Sequence, residues 1–160
     1  MLMKSLKELI NAILNSSENK ELENIKRNPT MIKEIANPTE AQQLAAVRSS
    51  SHVIKYIKEP AKKVRFIALK DDIYNYRYIK SLTKKEQLYL IKEGIRIENI
   101  KRPVEKVQLY ALKWRKASIN DIKNPTEKAQ LITIRKDKEL FLYIKNPTIT
   151  VCQEVARAYC

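Results

Sequence analysis

Apolar positions along this chain recur on two scales. Within short stretches they fall three or four residues apart, as at Leu44 and Val47 or Leu131 and Ile134, which puts them on one side of a helix. Over longer distances the whole pattern returns about every 22 residues. Asn37-Pro38-Thr39-Glu40, Asn124-Pro125-Thr126-Glu127 and Asn146-Pro147-Thr148 are near-copies, and Pro38 to Pro60, Pro103 to Pro125 and Pro125 to Pro147 each span 22 positions. The 43 positions between Pro60 and Pro103 hold two repeats. The second of these opens at Leu82, because Gln87 follows it by five, as Gln43, Gln108 and Gln130 follow Pro38, Pro103 and Pro125. Three before each start stand Ile35, Ile57, Ile79, Ile100, Ile122 and Ile144; six before stand Ile32, Ile54, Tyr76, Ile97, Ile119 and Phe141. Nine after stand Val47, Leu69, Ile91, Leu112, Ile134 and Ala156.

Each repeat reads as two short helices. Asn-Pro-Thr-Glu predicts a helix start with Asn as the cap, Pro at the first helical position and Glu closing a capping box. The first helix is expected over about Pro125 to Arg135 and the second near Lys138 to Lys145. Within the first helix, positions four and eight after the start lie on one side and six and nine on the other. Both sides are apolar, so neighbours should flank this helix. Helices this short are marginal alone, and stacking must hold them. The expected fold class is therefore all-α, a right-handed α-solenoid of short two-helix repeats with an N-terminal capping helix. Residues 1–34 are expected as capping helices, with an amphipathic stripe of Leu6, Leu9, Ile10, Ile13 and Leu14. Residues 35–160 are expected as one continuous array. Asn28-Pro29-Thr30 reads as a degenerate repeat, and the weaker caps are expected at Pro60 and Leu82.

The pattern Asn-Pro-Thr-Glu-x-x-Gln-Leu-x-x-Ile/Val-Arg/Lys, followed by x-x-Ile-Lys-Asn-Pro, resembles a family of short, HEAT-like helical repeats from bacteria and their phages. The resemblance covers roughly Ile35 to Arg157. It implies a fold and a bacterial or phage setting, with no residue roles to carry over.

Composition narrows the chemistry. One glycine, Gly94, in 160 residues leaves no room for a phosphate-cradling loop or a dinucleotide fingerprint. Cys152 and Cys160, with the single His52, fall short of a zinc site and read as free thiols in a reducing cytoplasm. No apolar run approaches a membrane span. No cofactor, metal or small-molecule substrate is implied. His52 sits in a serine-rich turn where solvent exposure is expected, and Asp71-Asp72 suits a turn between helices. No nucleophile has an evident base and orienting partner, so catalytic residues are expected to be none.

The formal net charge is +14, and the excess lies beyond residue 50. Two columns order it. Ten after each start stand Arg48, Lys70, Lys92, Lys113, Arg135 and Arg157; two before stand Lys58, Lys80, Lys101, Lys123 and Lys145. In a stacked array each column becomes a ladder able to track a phosphate backbone or the surface of a ribonucleoprotein. Cations at helix C-termini also complement the helix dipole, so position alone leaves both explanations open. Tyr56, Tyr78 and Tyr143 share a column, and Trp114 lies near a turn. These aromatics suit stacking on unpaired bases, or helix–helix seams with the hydroxyl at the edge. The glutamine column reads as a structural ladder between adjacent repeats.

The expected function is a non-catalytic binding scaffold whose basic face engages nucleic acid, RNA or DNA, or an acidic or nucleic-acid-loaded protein complex. An alternative is a phage-encoded inhibitor of a host defence effector, anti-CRISPR-like, acting by direct protein binding. A remote alternative is a helical-repeat DNA glycosylase, which would need a carboxylate beside a flipped-base pocket.

Overall fold

The computed structural model describes residues 2–158, with the side chains of several residues near the N-terminus, Leu9, Ile13 and Leu14 among them, outside the description. Cys160 also lies outside the described residues. The chain is all-helical, with no strand among the described residues. Seven α-helices follow one another: α1 (Leu2–Arg27), α2 (Glu40–Ser49), α3 (Lys62–Asp71), α4 (Lys84–Lys92), α5 (Glu105–Lys113), α6 (Glu127–Lys136) and α7 (Ile149–Ala156). No helix among the described residues is long and apolar enough to cross a membrane.

Between successive α-helices runs a short 3-10 segment, the form taken by the second short helix that the periodicity predicts. These turns cover Pro29–Glu34, Ser51–Tyr56, Ile73–Tyr78, Ile97–Asn99, Ile119–Asp121 and Lys138–Tyr143. Three to six residues cannot sustain an α-helix, and the tighter i→i+3 bonding suits such short pieces. Each ends when the column isoleucine donates its N–H three residues back, as Ile57 N–H does to the Ile54 carbonyl at 3.1 Å. That isoleucine is extended and, from Ile57 onward, buried.

Helix starts also differ from expectation. The cap is threonine, not asparagine. Thr39, Thr83, Thr126 and Thr148 are extended, and each hydroxyl accepts an N–H from the third helical residue. The α-helix therefore begins two residues after the proline. Proline disfavours helical backbone in the residue before it, which keeps Asn37, Asn124 and Asn146 out of the helix and hands the capping position to the threonine beyond. Glu40 and Glu127 are the first helical residues; the capping boxes close on Gln42 and Glu86 instead. Leu82 thus opens a fully capped helix through Thr83, and among α2 to α7 those without a side-chain cap start at Ala61 and Val104.

From α2 to α6 the buried positions are four, five, eight and nine after the start, with Arg65 and Leu112 half-buried. Val64, Leu90, Val107, Ala111, Ala129 and Val151 are fully enclosed. Residues at position six, expected to form a second buried flank, are half-buried at Leu44, Leu88, Leu109 and Leu131 and exposed at Phe66. At 100° per residue the four buried positions form one continuous face, and position six lies on its shoulder.

Two compact bodies result, Met1–Ser81 and Leu82–Cys160. In the first, α1 packs on α2 and α2 on α3. Ile25, near the end of α1, and Ile32 are buried, whereas Leu6 and Ile10 of the expected stripe are exposed. In the second, α4, α5, α6 and α7 pack in sequence order. Ile119, Ile134, Ile144 and Val151 form a core cluster there, with Leu112, Leu131, Phe141 and Val155 against it. Enclosing one such aliphatic side chain stabilises by about 1.5–3 kcal/mol, which compensates helices of eight to ten residues for their weak intrinsic stability.

Candidate binding face

The glutamine column sets the frame. Gln108 is buried, and its Nε2 donates to the carbonyl of its own repeat's Pro103 at 2.9 Å and to that of Asn124 in the next repeat at 3.3 Å. Its Oε1 accepts the N–H of the next cap, Thr126, at 2.8 Å. Gln130 repeats this with Pro125, Asn146 and Thr148. Gln43 joins Pro38 to the amide of Ala61, and Gln87 joins Leu82 to that of Val104. One side chain thus satisfies backbone groups at two successive starts, and these glutamines are the expected structural ladder within each body.

All eleven column cations are exposed, but the two columns have different surroundings. The column ten after the start lies in the last α-helical turn from Arg48 to Arg135, and Arg157 caps α7. Much of it is engaged internally. Lys70 lies over the Phe66 ring at 5.2 Å, Lys92 over Tyr110 at 5.9 Å and Lys113 over Trp114 at 5.8 Å. Arg135 forms a two-pronged bond to Glu154, at 2.6 and 2.9 Å. That bond holds the Glu154 carboxyl below, and the Arg135 guanidinium above, its ordinary range. Glu154 occupies the column that Tyr110 fills two repeats earlier, so one geometry serves a cation–ring contact and then an ion pair.

The column two before the start is different. Lys58, Lys80, Lys101, Lys123 and Lys145 each stand just past the isoleucine that closes a 3-10 turn. Among the described residues no carboxylate lies within ion-pairing distance of any of them. A turn of three to six residues has few aligned peptide dipoles, so helix-end stabilisation accounts for these lysines less well than for the other column.

The aromatic column is open to solvent. Tyr56, Tyr78 and Tyr143 are all exposed, Tyr143 at 58%, and so is Trp114 at 59%. The seam reading therefore does not hold for these three tyrosines. It suits Tyr110, half-buried and 6.1 Å from Trp114 between ring centroids.

In the C-terminal body two clefts open beside this column. One, of about 530 Å³, has Leu112, Ile119, Ile132 and Leu140 in its lining, with Arg115 and Lys136. The other, of about 400 Å³, includes Lys123, Lys145 and Gln130. Ile119, Asn120 and Tyr143 belong to both. Column reading missed Arg115 and Lys136, which lie outside the two basic columns. A signal for Arg115 was present, however. Gly94 and Arg115 both stand twelve after their starts, and both carry left-handed backbone, φ 94° and 52°. There Lys116 N–H reaches the Ala111 carbonyl at 2.8 Å, as Ile95 N–H reaches that of Leu90 at 2.9 Å, the Schellman close of a helix. The preceding repeat uses glycine for this turn; this one carries an arginine. Arg102 is also left-handed, φ 54°.

His52 is exposed, with Nδ1 3.6 Å from Asp72 Oδ2. Asp72 caps the following 3-10 turn by accepting the Tyr74 N–H at 2.9 Å, the turn role its sequence position suggests. Cys152 is exposed with a free thiol. No family model, curated protein or solved structure matches this chain.

Proposed function

We propose that this protein is a non-catalytic binding scaffold whose basic face engages nucleic acid, or a protein complex loaded with it. The lysines two before each start carry the reading: five exposed cations in repeat register, with no carboxylate partner among the described residues. Isolated surface lysines are ordinary. A column that recurs with the repeat, and that helix-end electrostatics explain poorly, is what a polyanion backbone requires. The stacked helices and glutamine bridges of each body support the finer reading of an α-solenoid, right-handed, of the short repeat type found in bacteria and their phages.

The test is binding of the whole chain to labelled oligonucleotides across a salt series. Affinity is expected to fall log-linearly with salt. Replacing Lys101, Lys123 and Lys145 by Gln should flatten the slope by roughly 2 on single strands, at about 0.7 for each phosphate no longer neutralised. An unchanged slope in a folded triple variant overturns the assignment of this column.

A second reading, a phage-encoded inhibitor that grips a host defence protein directly, is favoured by Leu142 and Ile149, apolar side chains 84% and 78% exposed on either side of the last repeat start. Nuclease treatment during affinity purification separates the two: a complex that survives nuclease supports direct protein binding.

A further inference from the structure

We propose that the paired clefts meeting at Tyr143 bind single-stranded nucleic acid. An unpaired base lies against the Tyr143 ring, and flanking phosphates are held by Arg115 and Lys136 on one side and Lys123 and Lys145 on the other. The inference rests on the nucleic-acid reading above and names the subsite and the strand state.

Three observations converge. First, neither cleft has a carboxylate in its lining, while each has two cations. The nearby Asp121 carboxylate, itself outside both linings, is occupied in accepting the Ser118 N–H at 2.7 Å. A surface that joins an apolar floor, an open aromatic ring and four uncompensated cations fits a ligand with a flat apolar part and anionic links on both sides. A nucleotide within a strand has that form. A duplex keeps its base faces stacked inside and offers phosphates and groove edges, leaving the aromatic ring without a base face to stack on.

Second, Tyr143 stands where it can serve both clefts, since each includes it together with Ile119 and Asn120. The residue is 58% exposed, so a base can reach it without rearrangement of the core. Ile144, next in the chain, and Val151 of the following helix belong to the buried cluster.

Third, Arg115 holds its place against backbone preference. A side chain disfavours left-handed φ, and the equivalent position in the preceding repeat is Gly94. A Cβ built at Gly94 meets nothing within 4 Å, so in that turn the penalty is conformational and not a clash. Arginine in such a turn is unfavourable for folding and supplies a cation to the lining of the larger cleft. Strain kept at a binding surface, and absent from the neighbouring copy of the same turn, marks function over packing.

The experiment uses the full chain and a fluorescein-labelled twelve-residue oligothymidylate, read by anisotropy at several salt concentrations. A twelve-base-pair duplex and an acidic peptide containing phenylalanine serve as comparison probes. Tyr143→Ala is expected to weaken single-strand binding about tenfold, the effect of removing one stacking platform, with Tyr143→Phe restoring it. Arg115→Gly is expected to lower the salt slope by about 0.7, the share of one phosphate, while leaving the melting temperature equal or higher. Lys20→Gln, on exposed α1 surface of the other body and outside both basic columns, is expected to change neither. Circular dichroism confirms that each variant is folded. Salt-dependent binding of wild type that is unaffected by Tyr143→Ala and Arg115→Gly overturns this subsite and leaves the broader reading intact. Tighter binding to the duplex than to the single strand overturns it as well. Absence of oligonucleotide binding at low salt overturns both. Binding of the acidic peptide alone, abolished in Tyr143→Ala, assigns the clefts to a protein partner instead.

Discussion

Gln108→Met is the substitution that tests the repeat frame most directly. The methionine preserves length and apolar volume, and it removes every polar contact of the side chain. Three backbone groups are left without their partners: the Pro103 and Asn124 carbonyls and the Thr126 N–H. A buried polar group left unsatisfied costs about 1–3 kcal/mol. These sites are partly reachable by water, so the lower end applies, giving about 3 kcal/mol in total. For a chain of this length, about 2–4 °C per kcal/mol turns that into a fall of roughly 6–12 °C in melting temperature. Glutamate at the same place sharpens the test. Ionised Gln108→Glu presents oxygen to two carbonyl oxygens, whereas its protonated form donates one hydrogen bond and keeps an acceptor for Thr126. Its folded pKa is therefore raised. The variant is then closest to wild type in acid, below the unfolded carboxyl value of about 4.3, and loses stability as pH rises from there through the folded value. Thermal melts from pH 3.5 to 8 measure both effects. A loss under about 0.5 kcal/mol for Gln108→Met, or a Gln108→Glu penalty that does not grow with pH, refutes the claim that this side chain ties one repeat to the next.

Three further outcomes follow from the same structure. Thr126→Ala should destabilise by about 1 kcal/mol through loss of its cap, while Asn124→Ala stays within about 0.5 kcal/mol; the reverse order in urea titrations would restore asparagine as the cap. Ile134→Ala, within the core cluster, should cost about 2–5 kcal/mol, visible as a lower urea midpoint. Because Arg135 depresses the Glu154 carboxyl, the stability linked to their ion pair is present above the unfolded carboxyl pKa and disappears as pH falls through the folded one. A carbon-detected titration should place Glu154 below the ordinary 4.5, and Arg135→Gln should return it there.

The period, the isoleucine column and the all-helical class were legible from residue spacing, because each depends on local backbone preference and on which side chains avoid water. Ile57, Ile100, Ile122 and Ile144 are buried where the register predicts, and the glutamines bridge the repeats that their column links. The identity of the caps was not legible, since Asn and Thr are both good N-caps and only the bend imposed at the proline decides which one reaches the helix end. Nor was the 3-10 form of the linking turns, which reflects how few residues remain between two packed ends.

Sequence alone, then, determined what repeats and where helices form, as these follow from interactions among near neighbours in the chain, whereas the one buried face of each helix emerged only with its packed neighbours. Only the tertiary structure decided which cations are occupied. Spacing shows that Lys92 and Lys123 recur, but not that Lys92 lies over the Tyr110 ring while Lys123 lines a cleft. It likewise brought Arg115, Lys136 and Tyr143, distant in sequence and outside any shared column, to one surface. The physical reason is that a side chain's partner is chosen by packing between repeats, and a linear register carries no record of that packing.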